Sequence, residues 1–332
     1  MPRPRFTASS VQAMSSAMAS VVTEWGTRLP TPIERECVAA IGQYVLDSDV
    51  DLEACDCVPS SALAAALPDP AERLFALRLC MILCMVGDTL RREQVALLER
   101  LAAILETPAA AELGALHLAL ARRYKWLLLQ VTRRAASDYW AKGGRPGIRD
   151  WIEVAEQGFF AGRIARPRIA SKYQALGGKP AGTLGREIHD FYASHDYRLP
   201  GEKGGMPEQF ILHECTHILS GYDTDPVGEM LVTVFTAGGK KRNVMDWVFV
   251  SLLQWHLGAS VGSFTIDCSH RGLLQPGAFF HAWIRGMDMH LSLMDDPWSW
   301  WDVIDVPVEA LRERYGIAPM AFAYERTAAS AH

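Results

Sequence analysis

The chain has no apolar run long enough to cross a bilayer. Its most apolar stretch, residues 74–86, is short and contains Arg78, whereas a spanning helix needs about 20 apolar residues. An integral membrane protein is not expected; peripheral membrane contact is left open. Residues 1–23 contain no acid and no apolar block, so no secretory signal is expected. Their Arg, Ser and Ala content fits a transit segment only superficially, and a cytoplasmic chain is expected in preference to a mitochondrial one. There is little clustered positive charge either. The longest basic run is Lys240-Lys241-Arg242 in a chain of net charge −5, and nucleic acid is not expected as a partner. The small residues at 260–263 lack a phosphate-loop pattern, so nucleotide binding has no support. No stretch alternates as a strand would, and no segment repeats. The seven cysteines are odd in number and show no secreted-scaffold spacing, so reduced thiols are expected. Cys80 and Cys84 fall inside an apolar helix. Cys55-Asp-Cys57 has no second pair to complete a metal site.

What is present is helical periodicity punctuated by caps and prolines. Hydrophobic residues make up 49% and charged residues 21%, ordinary for a globular chain, and an all-α fold is expected. Residues 1–28 read as a tail and 29–108 as a small helical module, with helices opened by Pro32 (running to about Leu46), Pro59 and Pro70, and an amphipathic one over 90–105. Residues 109–140 read as a linking helix that ends before the glycine-rich break at 143–147. A larger domain follows at 141–325, with helices over 151–175, 183–195, 207–220, 226–238, 243–258 and 276–293, and residues 326–332 form a tail. The acidic turn Asp47-Ser-Asp-Val-Asp51 begins like a calcium loop. Its sixth place is Leu52, where Gly is required, and its twelfth is Val58, where Glu is required, so a solvated turn is expected.

The chemistry concentrates in His213-Glu214-Cys215-Thr216-His217, followed after eleven residues by Glu229. Two histidines four apart on a helix share a face. Gly221 reads as a helix stop and Pro226 as the first position of the next helix, so Glu229 is brought back against the first helix. His213, Glu214, His217 and Glu229 are therefore candidate metal ligands, and mixed imidazole and carboxylate donors suit a divalent ion, zinc first. A metallopeptidase of the His-Glu-x-x-His type would use the two histidines as ligands and Glu214 as the general base. One of the pairs His189-Asp190 and His195-Asp196 is a candidate for orienting a ligand ring, and an exposed polar helix end is the favoured reading of each. Trp298, Trp300 and Trp301 fit bundle packing or, as the alternative, a membrane-facing edge.

The stretch from His213 to Glu229 closely resembles the signature of the Coq-four family of ubiquinone-biosynthesis proteins: His-Asp-x-x-His, eleven residues, then Glu. Residues Ala181-Gly-Thr-Leu-Gly-Arg-Glu-Ile-His-Asp-Phe-Tyr192, Ala282-Trp-Ile-Arg-Gly286 and Glu309-Ala-Leu-Arg-Glu-Arg-Tyr-Gly-Ile317 are similar to its flanking segments. The likeness covers about residues 141–322. The module at 29–108 resembles the TerB-like helical module, chiefly in Leu83-Cys-Met-Val-Gly-Asp88 and the acidic turn.

The Coq-four resemblance implies a metal-dependent enzyme acting on a carboxylated or phenolic, aromatic or prenylated precursor, by oxidative decarboxylation or related C–C bond chemistry. Glu214 would then be a ligand, and a groove between helices 226–238 and 243–258 would take an apolar tail. Protein partners of a biosynthetic complex are also implied. Glu214 stands where the family has Asp. With the fused module, this points to a relative diverged towards natural product biosynthesis. A non-catalytic lipid-binding scaffold is the alternative, and a zinc peptidase comes last.

Overall fold

A polar cap followed by proline or an acid opens several of the helices. In a computed structural model, which describes residues 6–56, 62–87, 90–107, 110–121, 126–128, 130, 165–259, 270–321 and 323–326, the helices in chain order are α1 (Ala8–Val22), α2 (Pro32–Ala40), α3 (Ala62–Ala66), α4 (Pro70–Leu83), α5 (Arg92–Ile104), α6 (Ala110–Leu120), α7 (Pro167–Gln174), α8 (Leu184–Ser194), α9 (Ile211–Ser220), α10 (Pro226–Gly239), α11 (Val244–Trp255), α12 (Pro276–Met287) and α13 (Val308–Tyr315). Thr7, Thr31, Asp69, Thr183 and Asp225 accept backbone N–H groups at the starts of α1, α2, α4, α8 and α10, satisfying donors that the first helical turn leaves unpaired. Thr31 and Glu34 do so reciprocally. Among the described residues there is no strand, only isolated bridges pairing Thr183 with Pro307 and Leu257 with Arg271. The fold is all-α.

The helix that reads from Pro32 to about Leu46 turns π-helical over Ile41–Leu46 and stops at Asp47, which adopts φ 52. The expected helix over 276–293 ends at Met287. Of the helix expected over 151–175, the described part is α7. The glycine-rich break at 143–147, Pro59, Cys57 and residues 260–263 lie outside the described residues, as does most of the linking segment beyond 121.

The chain packs as two units. One comprises Arg3–Val131 with Met245–Ile284, the other Thr132–Val244 with Arg285–His332. This differs from a division at about 140 with a single domain over 141–325, because residues 245–284 group with the N-terminal helices. The physical reason is aromatic. Phe75 stacks on Trp283 with ring centroids 5.8 Å apart, Tyr44 meets the His281 ring edge-on at 5.4 Å, and the His256 Nε2–H donates to the Val86 carbonyl at 2.8 Å. Periodicity within one segment carries no signal of such long-range pairs. The tail expected over 1–28 is also corrected. Its residues form α1, which packs on α4 with Met14, Met18, Val21 and Val22 wholly buried. Ser and Ala dilute its apolar face, so no apolar run announces it, yet their small side chains admit close approach.

The second unit carries the candidate site. α8 and α10 both pack on α9, as does α13, over a core that includes Tyr173, Leu184, Ile188, Tyr192, Cys215, Val227, Met230 and Phe235. α10 belongs to this unit and α11, from Met245, to the other. Trp283→Ala, which empties the site facing Phe75, should lower unfolding free energy by about 3–5 kcal/mol. Urea denaturation followed by far-UV circular dichroism measures this.

Candidate metal centre

α9 places His213 and His217 one turn apart on the same face and ends at Gly221, whose φ of 81 is left-handed. Two arginines finish the helix. Arg312 donates to the carbonyls of Ile218, at 2.7 Å, and Leu219, at 2.9 Å, and Arg285 donates to that of Ser220 at 3.0 Å. Positive charge at a helix C-terminus opposes the negative end of its dipole, so this short helix is held at its carbonyl end. The Arg285 guanidinium also lies 5.1 Å from the centre of the Tyr222 ring. After the turn, Asp225 caps α10 through Val227 N at 3.1 Å, and its carbonyl accepts Glu229 N–H at 2.8 Å. Glu229 thus returns to the His213 and His217 face in the first turn of α10.

Three donor side chains converge. His213 Nε2 lies 3.1 Å from His217 Nε2 and 3.2 Å from Glu229 Oε2, and His217 Nε2 lies 3.4 Å from Glu229 Oε1. Ligand atoms about 2.0–2.1 Å from a tetrahedral zinc ion stand about 3.3 Å from one another. The observed spacings are close to that figure, so the three residues suit such an ion. His217 Nδ1–H donates to the Tyr222 carbonyl at 3.0 Å. This fixes the proton on Nδ1 and leaves the Nε2 lone pair facing the other two donors, the usual arrangement behind a metal-bound imidazole. The His217 side chain is wholly buried, while those of His213 and Glu229 are 21% and 16% exposed. The group is therefore reachable through the His213 and Glu229 side.

His213, His217 and Glu229 form the group able to hold a metal ion, and Glu214 stands outside it. One residue along from His213, Glu214 is rotated about 100° round the helix. Its side chain is buried and, among the described residues, has no hydrogen-bond partner. Burial pushes its carboxyl above the ordinary range, with His213 and His217 pulling partly against it. The Tyr192 hydroxyl, on α8, is likewise buried and unpartnered, and burial and the Glu214 charge both raise it. Burial would raise Glu229 too, but the two imidazoles outweigh it and hold that carboxyl well below its usual range. Burial disfavours a charged His217, yet Glu229 overcomes this and pushes the ring up to about 9 when no ion is bound.

Neither His-Asp pair orients a ligand ring. His189 pairs with its neighbour Asp190 at 3.0 Å, and Arg186 joins them. His195 faces Phe191 O and Asp223. A backbone carbonyl orients His217 instead, and no residue type signals a carbonyl in a sequence. Trp298 donates to the Tyr315 hydroxyl at 2.8 Å, and Trp301 packs on Tyr173, so both join the bundle. The concavity lined by Thr216, Phe235, Gly239, Met289 and Met294 does not include the three donors. Cys80 and Cys84 are buried, as expected. Among the described residues, no metal-holding group forms at the acidic turn, and no helix is long and apolar enough to cross a membrane. No family model, curated protein or solved structure matches the chain.

Zinc should bind with about one ion per chain, and His217→Ala should abolish most of that binding, as elemental analysis will show. The pH dependence has a definite sign. Without metal, the raised His217 contributes stability fully below its unfolded value of about 6.5, and that contribution is lost as pH rises through about 9. Metal needs the neutral ring and displaces this proton. The gain in Tm on adding zinc should therefore grow from about pH 6 to about pH 8. A flat or falling gain, read by differential scanning fluorimetry, contradicts the assignment.

Proposed function

We propose that the chain is a metal-dependent enzyme of the Coq-four type. Its substrate is a carboxylated or phenolic aromatic or prenylated precursor, and its chemistry is oxidative decarboxylation or related C–C bond chemistry, of which loss of carbon dioxide is the step the residues of this site address. The observation that supports catalysis is the number of ligands. His213, His217 and Glu229 would hold a divalent ion, zinc first, and with Glu214 outside the group three protein donors would leave a tetrahedral ion one open position. Catalytic zinc sites keep such a position, and purely structural ones close it. A lipid-presenting scaffold has no use for it.

When bound, the ion supplies charge stabilisation to a substrate oxygen. The chain's own residues do the remainder. Tyr222 holds the His217 ring through its carbonyl. Glu214, raised by burial, keeps a proton at neutral pH more readily than an exposed carboxyl and can deliver it. As carbon dioxide leaves, the electron pair of the broken C–C bond stays on the ring carbon, which takes the Glu214 proton. Tyr192 and Tyr197, whose rings meet edge-on at 6.1 Å, give this side of the unit an aromatic wall. The resemblance to the Coq-four signature supports the substrate class, and the Glu at position 214 supports a relative diverged towards specialised metabolism.

The position of Glu214 also fits a second reading, hydrolysis with Glu214 as the base for water, as in His-Glu-x-x-His peptidases. Glu214→Gln separates the roles. It should retain zinc and lose about 10²–10⁴-fold in turnover, measured as carbon dioxide release from a prenylated hydroxybenzoate. Loss of zinc would make Glu214 a fourth ligand. Unchanged turnover would replace the enzyme with a scaffold, and casein cleavage by wild type but not by the variant would favour the peptidase.

A further inference from the structure

Tyr324 lies about a hundred residues beyond the helical hairpin, yet its hydroxyl touches both ends of the turn that joins the metal-bearing helices. It accepts the backbone N–H of Asp223 at 2.9 Å and donates to Asp225 Oδ2 at 3.2 Å. The two contacts have different targets. Asp223 follows Tyr222, whose carbonyl fixes the His217 ring. Asp225 caps α10 with its other carboxylate oxygen, and its carbonyl accepts Glu229 N–H. One phenol therefore ties together the residues that place two of the three donors.

The surroundings are shaped for it. A Cβ on Gly228 would come within 2.8 Å of the Tyr324 hydroxyl and 2.1 Å of the Asp223 carbonyl, so only glycine lets the turn and the phenol close over α10. The Tyr324 and Tyr222 rings lie 6.0 Å apart. Asp223 is gripped from two further directions, by His195 Nε2 at 3.3 Å and by Arg326 at 2.6 Å. The Arg326 pair is largely exposed, and such surface pairs contribute little. The phenol, in contrast, makes one hydrogen bond to a backbone donor and one to a charged acceptor, the stronger kind.

We propose that Tyr324 is a positioning residue for the metal centre: its hydroxyl clasps the 222–225 turn and so fixes the His217 ring and Glu229 relative to each other. This rests on the reading of His213, His217 and Glu229 as metal ligands. Partners that orient ligands typically set affinity by 10–100-fold. Tyr324→Phe removes both hydrogen bonds and keeps the ring. In the full chain it should weaken zinc binding by about 10–100-fold and alter the visible absorption of the cobalt(II)-substituted protein, which reports ligand geometry. Arg326→Ala should change zinc affinity by less than about twofold, as expected for an exposed pair.

A third measurement needs no metal. The buried His217 Nδ1–H, followed by NMR in metal-free protein, should exchange faster in Tyr324→Phe than in wild type. Equal zinc affinity and an equal cobalt spectrum in Tyr324→Phe overturn the proposal. So does an equal loss in Arg326→Ala, which would assign the effect to the segment rather than to the phenol. If wild type binds neither ion, the metal reading fails. The proton-exchange comparison then decides the clasp by itself: faster exchange in Tyr324→Phe upholds it, and unchanged exchange rejects it.

Discussion

The hydrogen bond from His217 Nδ1–H to the Tyr222 carbonyl is the constraint on which the centre depends. It aims the Nε2 lone pair, and it does so from a turn that also begins the helix carrying Glu229. Without it the ring can rotate or exchange tautomers, and the convergence of three donors becomes one arrangement among several. The bond is strong for its kind because the His217 side chain is wholly buried and water does not compete for the carbonyl. Two imidazoles and a carboxylate this close together are costly to desolvate. A divalent cation offsets that cost directly, and a proton shared with Glu229 does so only in part.

The rigidity behind that bond comes from packing. α9 buries Ile211, Cys215 and Leu219 fully and is flanked by α8, α10 and α13. Its carbonyl end, where a ten-residue helix leaves acceptors without intrahelical partners, is closed by Arg285 and Arg312. These arginines come from segments distant in sequence. A helix that would be marginal alone is thus fixed at the end where His217 and the turn must stay in register.

Much of the centre was legible in the sequence because helical geometry is local. Two histidines four apart, a glycine stop and a proline start determine which faces meet, and the chain folds back at 221–226 as that reading requires. Glu214 also reads as a ligand from the motif, since a motif gives proximity in sequence without the direction of each side chain. Cap residues such as Thr183 and Asp225 marked their helices to within a residue or two. α1 did not declare itself, because a Ser- and Ala-rich helix has a weak apolar face. The grouping of residues 245–284 with the N-terminal helices depends on pairs such as Phe75 with Trp283, separated by some two hundred residues. The Tyr222 carbonyl and the Tyr324 hydroxyl lay beyond sequence reasoning for the same reason: their partners are set by tertiary approach.

The interleaving of the two units along the chain bears on the order in which they are made. Domains tend to fold as they leave the ribosome, N-terminal first. Here the unit begun first lacks Phe249, Phe279, Phe280 and Trp283 until nearly the whole chain has been synthesised. The hairpin at 211–239 emerges in the meantime. During translation, then, His213, His217 and Glu229 are made before the aromatic side chains that complete the core of the earlier helices, and Phe75 lacks its Trp283 partner for that interval.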